Sequence, residues 1–188
     1  MTDHLTGPPG KTRLSHSVRR YLGGVNGHSL LVVPLPGLVS VVPPLARGAT
    51  VPHIPLLDPF ADLTGIDDGV LAELRDYFGD VVPFAVRLTD LSQYPGGAAY
   101  LAPEPTGPFR HLTQGLLRLF PELPRPRPSF ELVPHMAVDL PPGEDMELLR
   151  QQLDPWLPVA TLAREAALWW QEDGVRTMST FPFGTSAA

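Results

Sequence analysis

The sequence predicts an α+β fold of two similar halves, in which each half contains a short strand that begins at a histidine. Two segments, Pro52-His53-Ile54-Pro55-Leu56 and Pro134-His135-Met136-Ala137-Val138, have the same proline-histidine-apolar pattern and lie 82 positions apart, from 53 to 135. The chain also contains 24 prolines in 188 residues. Because proline is unfavourable inside helices and central strands, the elements must be short.

The predicted elements also repeat their order along the chain: a strand with histidine, a helix, strands, a helix, a strand with histidine and a helix. Strands are predicted where short apolar runs lie between turn residues. The predicted strands span residues 29–34, 51–57, 82–91, 98–102 and 132–140.

Three helices are predicted from capping residues and apolar stripes. Asp67 or Asp68 caps the first, Thr106 caps the second with Pro108 in its first turn, and the third ends before Pro155. The stripes consist of Val70, Leu71, Leu74, Tyr77 and Phe78; of Phe109, Leu112, Leu116 and Phe120; and of Met146, Leu149 and Leu153.

The segment 160–171 has conflicting signals, because its Ala, Leu, Arg and Glu residues favour a helix. Asp173-Gly174 is typical of a hairpin turn, and residues 175–181 alternate as a strand does. We predict a hairpin, since tertiary pairing overrides a weak helix preference. Trp169 and Trp170 then point to opposite faces, so at least one lies outside the main core and one is a candidate for a groove wall.

The composition, with 43% hydrophobic residues, fits one globular domain, which we place at residues 28–188. Residues 1–27 contain Gly-Pro and Gly-Gly pairs and little apolar periodicity, which predicts a flexible or loosely docked extension. The absence of cysteine excludes disulfide partners and thiolate chemistry. With neither a signal peptide nor an apolar stretch of about 18 residues, we expect a soluble cytoplasmic protein with no membrane partner.

The net charge of −6 argues against broad electrostatic binding to nucleic acid. Basic residues are concentrated in the first 20 residues and around the proline-rich bend at 121–128. A solvated surface is the simpler interpretation of both clusters, and a local phosphate contact is the alternative.

His53 and His135 are the candidate catalytic residues. A single histidine on a strand is more often structural. Two histidines in matching segments instead predict a shared groove, in which one imidazole accepts a proton near pH 7 and the other donates one. Side chains two positions apart on a strand share a face, so Pro55 and Ala137 line this groove and Asp139 has the phase of His135.

Further groove candidates follow from strand phase. Leu57 shares the phase of His53, while Arg87 and Thr89 lie opposite the core face of their own strand. Arg87 is placed to hold an anion or a carbonyl, with a salt bridge as an equally weighted alternative. Tyr94, before a Pro-Gly-Gly turn, is placed to stack on a base or cover an apolar ligand, with core packing as the alternative.

Motifs for metals and cofactors are absent from the sequence. It contains no His-Glu-x-x-His helix, no glycine-rich phosphate loop between strand and helix, and no Gly-x-Ser-x-Gly nucleophile turn. We therefore expect histidine acid/base chemistry with no cofactor and no metal.

The paired histidine segments resemble the motifs of the 2H phosphoesterase superfamily, most closely its 2′-5′ RNA ligase-like (LigT-like) branch, over roughly residues 29–184. The resemblance implies a bilobal fold, in which two pseudo-symmetric antiparallel sheets form a concave groove with helices on the outer faces. It also implies that one histidine activates the attacking hydroxyl or water while the other protonates the leaving oxygen. The segments that follow the family order are 30–34, 51–60, 83–88, 94–105 and 181–184.

The chain departs from this family at the residue two positions after each histidine. The family has threonine or serine there, whose hydroxyl binds the phosphate, and this chain has Pro55 and Ala137. Neither side chain donates a hydrogen bond. Loss of one preorganised donor typically lowers a rate by roughly a hundred- to a thousandfold, so we expect weak or absent phosphodiesterase activity.

Three functions follow from these observations. The favoured one is an enzyme that uses the histidine pair to cyclise, isomerise or hydrolyse a small organic metabolite. The second is opening of a 2′,3′-cyclic phosphate or of a 2′-5′ linkage in nucleotides or RNA ends, with Arg87 or backbone amides in place of the lost hydroxyls. The third is a non-catalytic module that binds a nucleotide or an RNA end.

Overall fold

The computed structural model describes residues 27–47, 50–94, 97–123, 133–139 and 145–184. The predicted extension at 1–27 therefore lies outside the described residues except for Gly27, as do residues 185–188 at the end of the predicted domain. In the described part of the chain, no helix is long and apolar enough to cross a membrane.

Short strands and helices alternate along the described residues. The strands are β1 His28–Pro34, β2 His53–Leu57, β3 Phe84–Gln93, β4 Ala99–Glu104, β5 Met136–Val138, β6 Val159–Ala163, β7 Glu165–Gln171 and β8 Val175–Pro182. The α-helices are α1 Leu38–Val41, α2 Asp68–Gly79, α3 Gly107–Leu119 and α4 Met146–Leu153. Short 3₁₀ helices span Pro43–Arg47, Leu63–Gly65 and Asp154–Trp156.

The strands form two four-stranded antiparallel sheets, which confirms the predicted α+β fold of two halves. Their strand orders are β2-β1-β7-β8 and β5-β4-β3-β6. The two strands that follow the Pro-His pairs, β2 and β5, are therefore edge strands, and they contact each other. The two sheets meet along these strands, and we call this junction the seam.

Capping and periodicity place the longer helices close to their predicted positions. The Asp67 carboxylate accepts a hydrogen bond from the Val70 amide and starts α2. Thr106 occupies the cap position of α3, although its side chain makes no capping hydrogen bond. The cap of α4 is Asp145, whose carboxylate accepts from the Leu148 amide.

One continuous core connects the helices to both sheets. Phe78 of α2 is fully buried and stacks on Phe181 and Phe183, with ring centroids 5.6 and 6.0 Å apart. Phe84 of β3 also stacks on Phe183, at 6.0 Å. Because β3 belongs to one sheet and β8 to the other, these rings join the two sheets from the side of α2.

The segment 160–171 forms strands rather than a helix, and the hairpin predicted at its end is confirmed, because β7 and β8 pair across a turn at 172–174. The segment nevertheless contains two strands, which separate at Arg164. Strand β6 pairs with β3 in one sheet, and β7 pairs with β1 in the other. The chain therefore crosses between sheets at a point where the sequence pattern has no break.

Candidate active site

The two histidines lie at corresponding places on the seam. His53 is the first residue of β2, opposite Pro34 of β1, and His135 immediately precedes β5. Their neighbours Ile54 and Met136 belong to the main core. Because side chains alternate along a strand, both imidazoles face away from that core, and both are half-buried.

Each imidazole is held by a backbone carbonyl two residues earlier in the chain. Nδ1 of His53 lies 2.9 Å from the carbonyl oxygen of Val51, and Nδ1 of His135 lies 2.9 Å from that of Val133. A carbonyl oxygen only accepts, so Nδ1 carries the hydrogen and donates it. In the neutral ring, Nε2 is then the nitrogen with the free lone pair, which is suited to accept a proton from a ligand.

The two carbonyl oxygens are functional groups that the sequence analysis did not identify. Both belong to a Val-Pro-His sequence, at 51–53 and 133–135. A residue before proline is restricted to extended backbone conformations, and proline itself donates no backbone hydrogen bond. The sequence does contain one signal of this arrangement. The repeat includes the valine before each proline, so the matched backbone extends to the residue whose carbonyl accepts the hydrogen bond.

His53 lies in apolar surroundings. Its ring contacts Trp169 edge to face, with centroids 4.7 Å apart. Trp169 belongs to a small cluster of buried side chains on the face of its sheet opposite the main core. The prediction that one of the adjacent tryptophans lines the groove wall is consistent with this contact. The other members of the cluster are Leu30, Val32 and Ala167, with Val175 packed against them.

Burial lowers the pKa of His53 below its ordinary value of 6.5. The hydrogen bond to Val51 and the charges of Asp58 and Asp139 oppose this effect, while the charge of His135 adds to it. The imidazole of His53 is therefore mainly neutral at pH 7, with a lone pair on Nε2. Both histidines border the seam, because β2 begins at His53 and β5 follows His135.

His135 lies beside two tyrosines. Its ring centroid is 5.3 Å from that of Tyr94 and 6.0 Å from that of Tyr100, and the two phenol rings are 4.4 Å apart. Burial, with a smaller effect of Tyr100, raises the pKa of Tyr94, so this phenol keeps its hydrogen at neutral pH. Tyr94, predicted as a groove residue, is thus placed next to one histidine, and Tyr100 joins it.

Pro55 and Ala137 lie on the histidine-bearing faces of β2 and β5, as strand phase predicts. Pro55 is opposite Val32 of β1, and exposed Ala137 is opposite Tyr100 of β4. At position 55, where the resemblance leads us to expect a hydroxyl, the chain therefore has a proline whose neighbour on β1 is the apolar Val32. At position 137, the neighbour of the alanine on β4 is Tyr100, which carries a phenol.

No contact of Arg87 or Thr89 with either histidine is found among the described residues. Nη2 of Arg87 is 2.9 Å from Oε2 of Glu104, in an exposed ion pair. This contact favours the salt-bridge alternative for Arg87. Thr89 lies in an irregularity of β3 between Leu88 and Leu91, and its buried hydroxyl has no hydrogen-bond partner among the described residues.

Leu57 does not share the environment of His53, so that interpretation of the strand phase was wrong. Its side chain belongs to the main core. The cause is an irregularity in the pairing of β1 with β2, where Leu31 is opposite Leu57 but Val32 is opposite Pro55. Such a shift turns the following side chain to the other face of the sheet.

A cavity of about 100 Å³ opens beside His53 along the seam. It lies between the 3₁₀ helix Pro43–Arg47 and α4, with both edge strands in its wall. Among the described residues, no three His, Asp or Glu side chains lie close enough to hold a metal ion. The residues that line the cavity are Pro44, Leu45, Thr50, Val51, Pro52, His53, Met136, Ala137, Val138, Asp139, Leu149, Gln152 and Leu153.

We expect the imidazole of His53 to titrate with a midpoint below 6.5 in an NMR pH series. Since the unfolded chain has the ordinary value of 6.5, the unfolded state binds more protons between the folded pKa and 6.5. The stabilising contribution of neutral His53 is therefore fully present above pH 6.5 and is lost as pH falls through the folded pKa. Trp169→Leu should move the midpoint toward 6.5 by admitting water.

The matched control for this titration is Trp156→Leu, because Trp156 is 44% exposed and lies outside the surroundings of His53. This variant should leave the midpoint unchanged. A midpoint at or above 6.5 in the unmodified protein would contradict the role of burial.

The comparisons with known proteins agree with this architecture. The family model of the 2′-5′ RNA ligase superfamily matches residues 42–175, which is well over half of the chain. Among solved structures, the fold is similar to that of TT0787 from Thermus thermophilus, with 18% identity and a TM-score of 0.57 over 84% of this chain and 98% of that chain. A search of curated proteins gives no match.

The fold is also similar to that of E. coli LigT in two crystal structures. The complex with 3′-AMP has 15% identity and a TM-score of 0.51, over 86% of this chain and all of that chain. The apo form has 14% identity and a TM-score of 0.52, over 84% and 97% of the two chains.

Two antiparallel sheets that meet along edge strands, with helices packed against them, define the bilobal α+β class of LigT-like proteins. Within that class, the extent of the family match settles the membership. This chain belongs to the 2′-5′ RNA ligase superfamily, among the 2H phosphoesterases.

Proposed function

We propose that this protein is an acid/base enzyme that acts on a small organic metabolite rather than on a phosphodiester. His53 accepts the proton and His135 donates it. The observation that supports this proposal most strongly is the matched pair of hydrogen bonds from Nδ1 to a backbone carbonyl, at 2.9 Å in both halves. Each bond fixes a ring and leaves its Nε2 for the ligand.

The division of roles follows from the surroundings of His53. Burial beside Trp169 lowers its pKa, so the neutral ring prevails near pH 7 and the role of base falls to it. His135, beside the phenols of Tyr94 and Tyr100, then returns a proton to the substrate. Removal of a proton at one atom and its delivery at another meets the proton requirements of an isomerisation or a cyclisation, and of a hydrolysis in which the deprotonated nucleophile is a water molecule.

The character of the site supports a substrate without a phosphate. Pro55 and Ala137 supply no hydroxyl, and the Arg87 guanidinium already pairs with Glu104. The charges that act on His53, apart from His135, are the carboxylates Asp58 and Asp139. Negative charge at this place disfavours an anion.

The substrate can be sought by incubating a metabolite extract with the protein and following every compound by mass spectrometry. A matched incubation with the His53→Ala, His135→Ala double variant provides the control. A compound consumed only by the unmodified protein supports the proposal. If the same compounds disappear in both incubations, the histidine pair is not the acid/base apparatus.

A second candidate is the phosphodiesterase activity that the superfamily name suggests, on a nucleotide or an RNA end. Membership in the superfamily and the Tyr94–Tyr100 pair, whose rings are suited to stack on a base, favour it. The fold is similar to that of LigT, which was crystallised with 3′-AMP. A third candidate, binding of such a ligand without turnover, has the same support.

We expect little hydrolysis of 2′,3′-cyclic nucleotides or of a 2′-5′-linked dinucleotide by the unmodified protein. The double variant Pro55→Thr, Ala137→Thr should gain phosphate affinity and roughly a hundredfold or more in phosphodiesterase rate, because each preorganised donor is worth that factor. The measurements are phosphate binding by calorimetry and product release by chromatography.

Adding His53→Ala to this double variant should abolish the gain in rate. The control for the proline change is Pro55→Ala, which frees the same backbone amide without adding a hydroxyl. A folded double variant that neither binds phosphate nor hydrolyses either substrate would show that the site has diverged beyond these two positions. High activity of the unmodified protein would favour the second candidate.

A further inference from the structure

The cavity at the seam has a buried apolar floor and an exposed mouth. Leu45, Met136, Leu149 and Leu153 form the floor, and each is at most 7% exposed. Val51, Ala137 and Asp139 lie at the mouth and are exposed. His53 also lines the cavity, so this space adjoins one of the two histidines.

The described residues of the lining carry formal charge of a single sign. Among the described residues that line the cavity, Asp139 is the one with a permanent charge at neutral pH, and its field acts on His53. Thr50 and Gln152 are the uncharged polar side chains of the wall. A carboxylate at the mouth of an apolar space attracts a cation and repels an anion.

The volume limits the size of the group that enters. The cavity measures about 100 Å³, less than the roughly 150 Å³ cavity that accommodates benzene. A branched alkyl group with about four or five non-hydrogen atoms fills such a space.

We propose that this cavity is the specificity pocket of the site and that it takes a small branched alkyl group next to a cationic, amine-type nitrogen. The alkyl group lies between the 3₁₀ helix Pro43–Arg47 and α4, and the nitrogen lies at Asp139. The proposal rests on the proposed function, since it names the part of the substrate that lies beside the base. It assigns to Asp139 a role in selecting the substrate's charge.

Three probes with the same branched four-carbon skeleton and different charges test the pocket: isobutylammonium, isobutanol and isobutyrate. Each is titrated into the folded protein, and methyl NMR signals of Met136, Leu149 and Leu153 report on occupancy. We expect millimolar binding, with isobutylammonium roughly two- to fivefold tighter than isobutanol and isobutyrate weakest, as suits one exposed carboxylate. Preference for isobutyrate, or signal changes away from these methyl groups for all three probes, would overturn the proposal.

Two variants connect the binding to named residues. Asp139→Asn should make isobutylammonium and isobutanol bind equally. Ala137→Leu adds bulk at an exposed position of the mouth and should weaken all three probes at least about fivefold. Asp76→Asn, an exposed change on α2, is the control and should alter nothing. Preserved charge preference in Asp139→Asn would overturn the role of this carboxylate.

Failure of this proposal and failure of the proposed function give different results. Probe binding is measured in the unmodified protein and without turnover, so its result does not depend on whether the histidines are catalytic. Conversely, a substrate whose turnover requires both histidines but which contains no branched alkyl amine would overturn the pocket assignment alone.

Discussion

Replacement of His53 or His135 by alanine is expected to lower turnover of the natural substrate at least about a hundredfold, the usual scale for a general acid or base. Each variant removes the Nε2 to which the proposed function assigns proton exchange with the substrate, while the backbone of its strand remains paired. The measurement is the rate on the compound found by metabolite profiling, under saturating substrate and across about pH 5–9. The two single variants should lose opposite limbs of the pH profile.

His111→Ala is the matched control, because His111 is exposed on α3 and lies outside the seam. It should retain the full rate. If both histidine variants at the seam turn over the substrate at near-normal rates, the histidines line a binding site and do no chemistry. Circular dichroism and thermal melting verify that each variant is folded before the comparison is made.

Phe78→Ala is expected to lower the free energy of unfolding by about 3–5 kcal/mol. The side chain is fully buried, and its ring stacks on Phe181 and Phe183 where α2 packs on β8. Its removal loses apolar burial and leaves a cavity that the surrounding rings fill only in part. Urea denaturation followed by tryptophan fluorescence measures the change.

Val82→Ala serves as the comparison for Phe78→Ala, since Val82 is 57% exposed. It should change the free energy of unfolding by no more than about 0.5 kcal/mol. A loss below about 1 kcal/mol in Phe78→Ala, well short of the usual cost of removing a buried phenylalanine, would mean that the aromatic stack does not hold the sheets together.

Most of the local structure could be predicted from the sequence, because its causes are local. The capping carboxylate of Asp67 and the apolar stripe of Val70, Leu74 and Phe78 define α2 within a dozen residues. Strand alternation likewise placed Ile54 in the core and left His53 on the opposite face. These features depend on residues close together in the chain.

The remaining features depend on which strands pair, and pairing is not encoded in any single segment. The division of 160–171 between two sheets follows from the partners β3 and β1, which are distant in sequence. The placement of Leu57 in the core follows from an irregularity in pairing with β1. The contact of Arg87 with Glu104 requires β3 and β4 to be in register.

The aromatic neighbours of the histidines illustrate the same limit. Tyr94 was a candidate from its place before a turn, but its contact with His135 requires β4 to lie between β3 and β5. Trp169 was a candidate from alternation, and its contact with His53 requires β1 to separate β7 from β2. In both cases the strand order of the sheet determines which aromatic side chain contacts which histidine.

The bond from each histidine to a main-chain oxygen also affects how the site tolerates mutation. A side-chain partner, such as the carboxylate that orients histidine in many enzymes, is lost through a single codon change. The oxygens of Val51 and Val133 belong to the peptide backbone, so every amino acid at these positions supplies the same acceptor. A substitution at position 51 or 133 therefore leaves the acceptor that orients each histidine ring in place. The residues around the two histidines can therefore change during evolution while the orientation of both rings is retained.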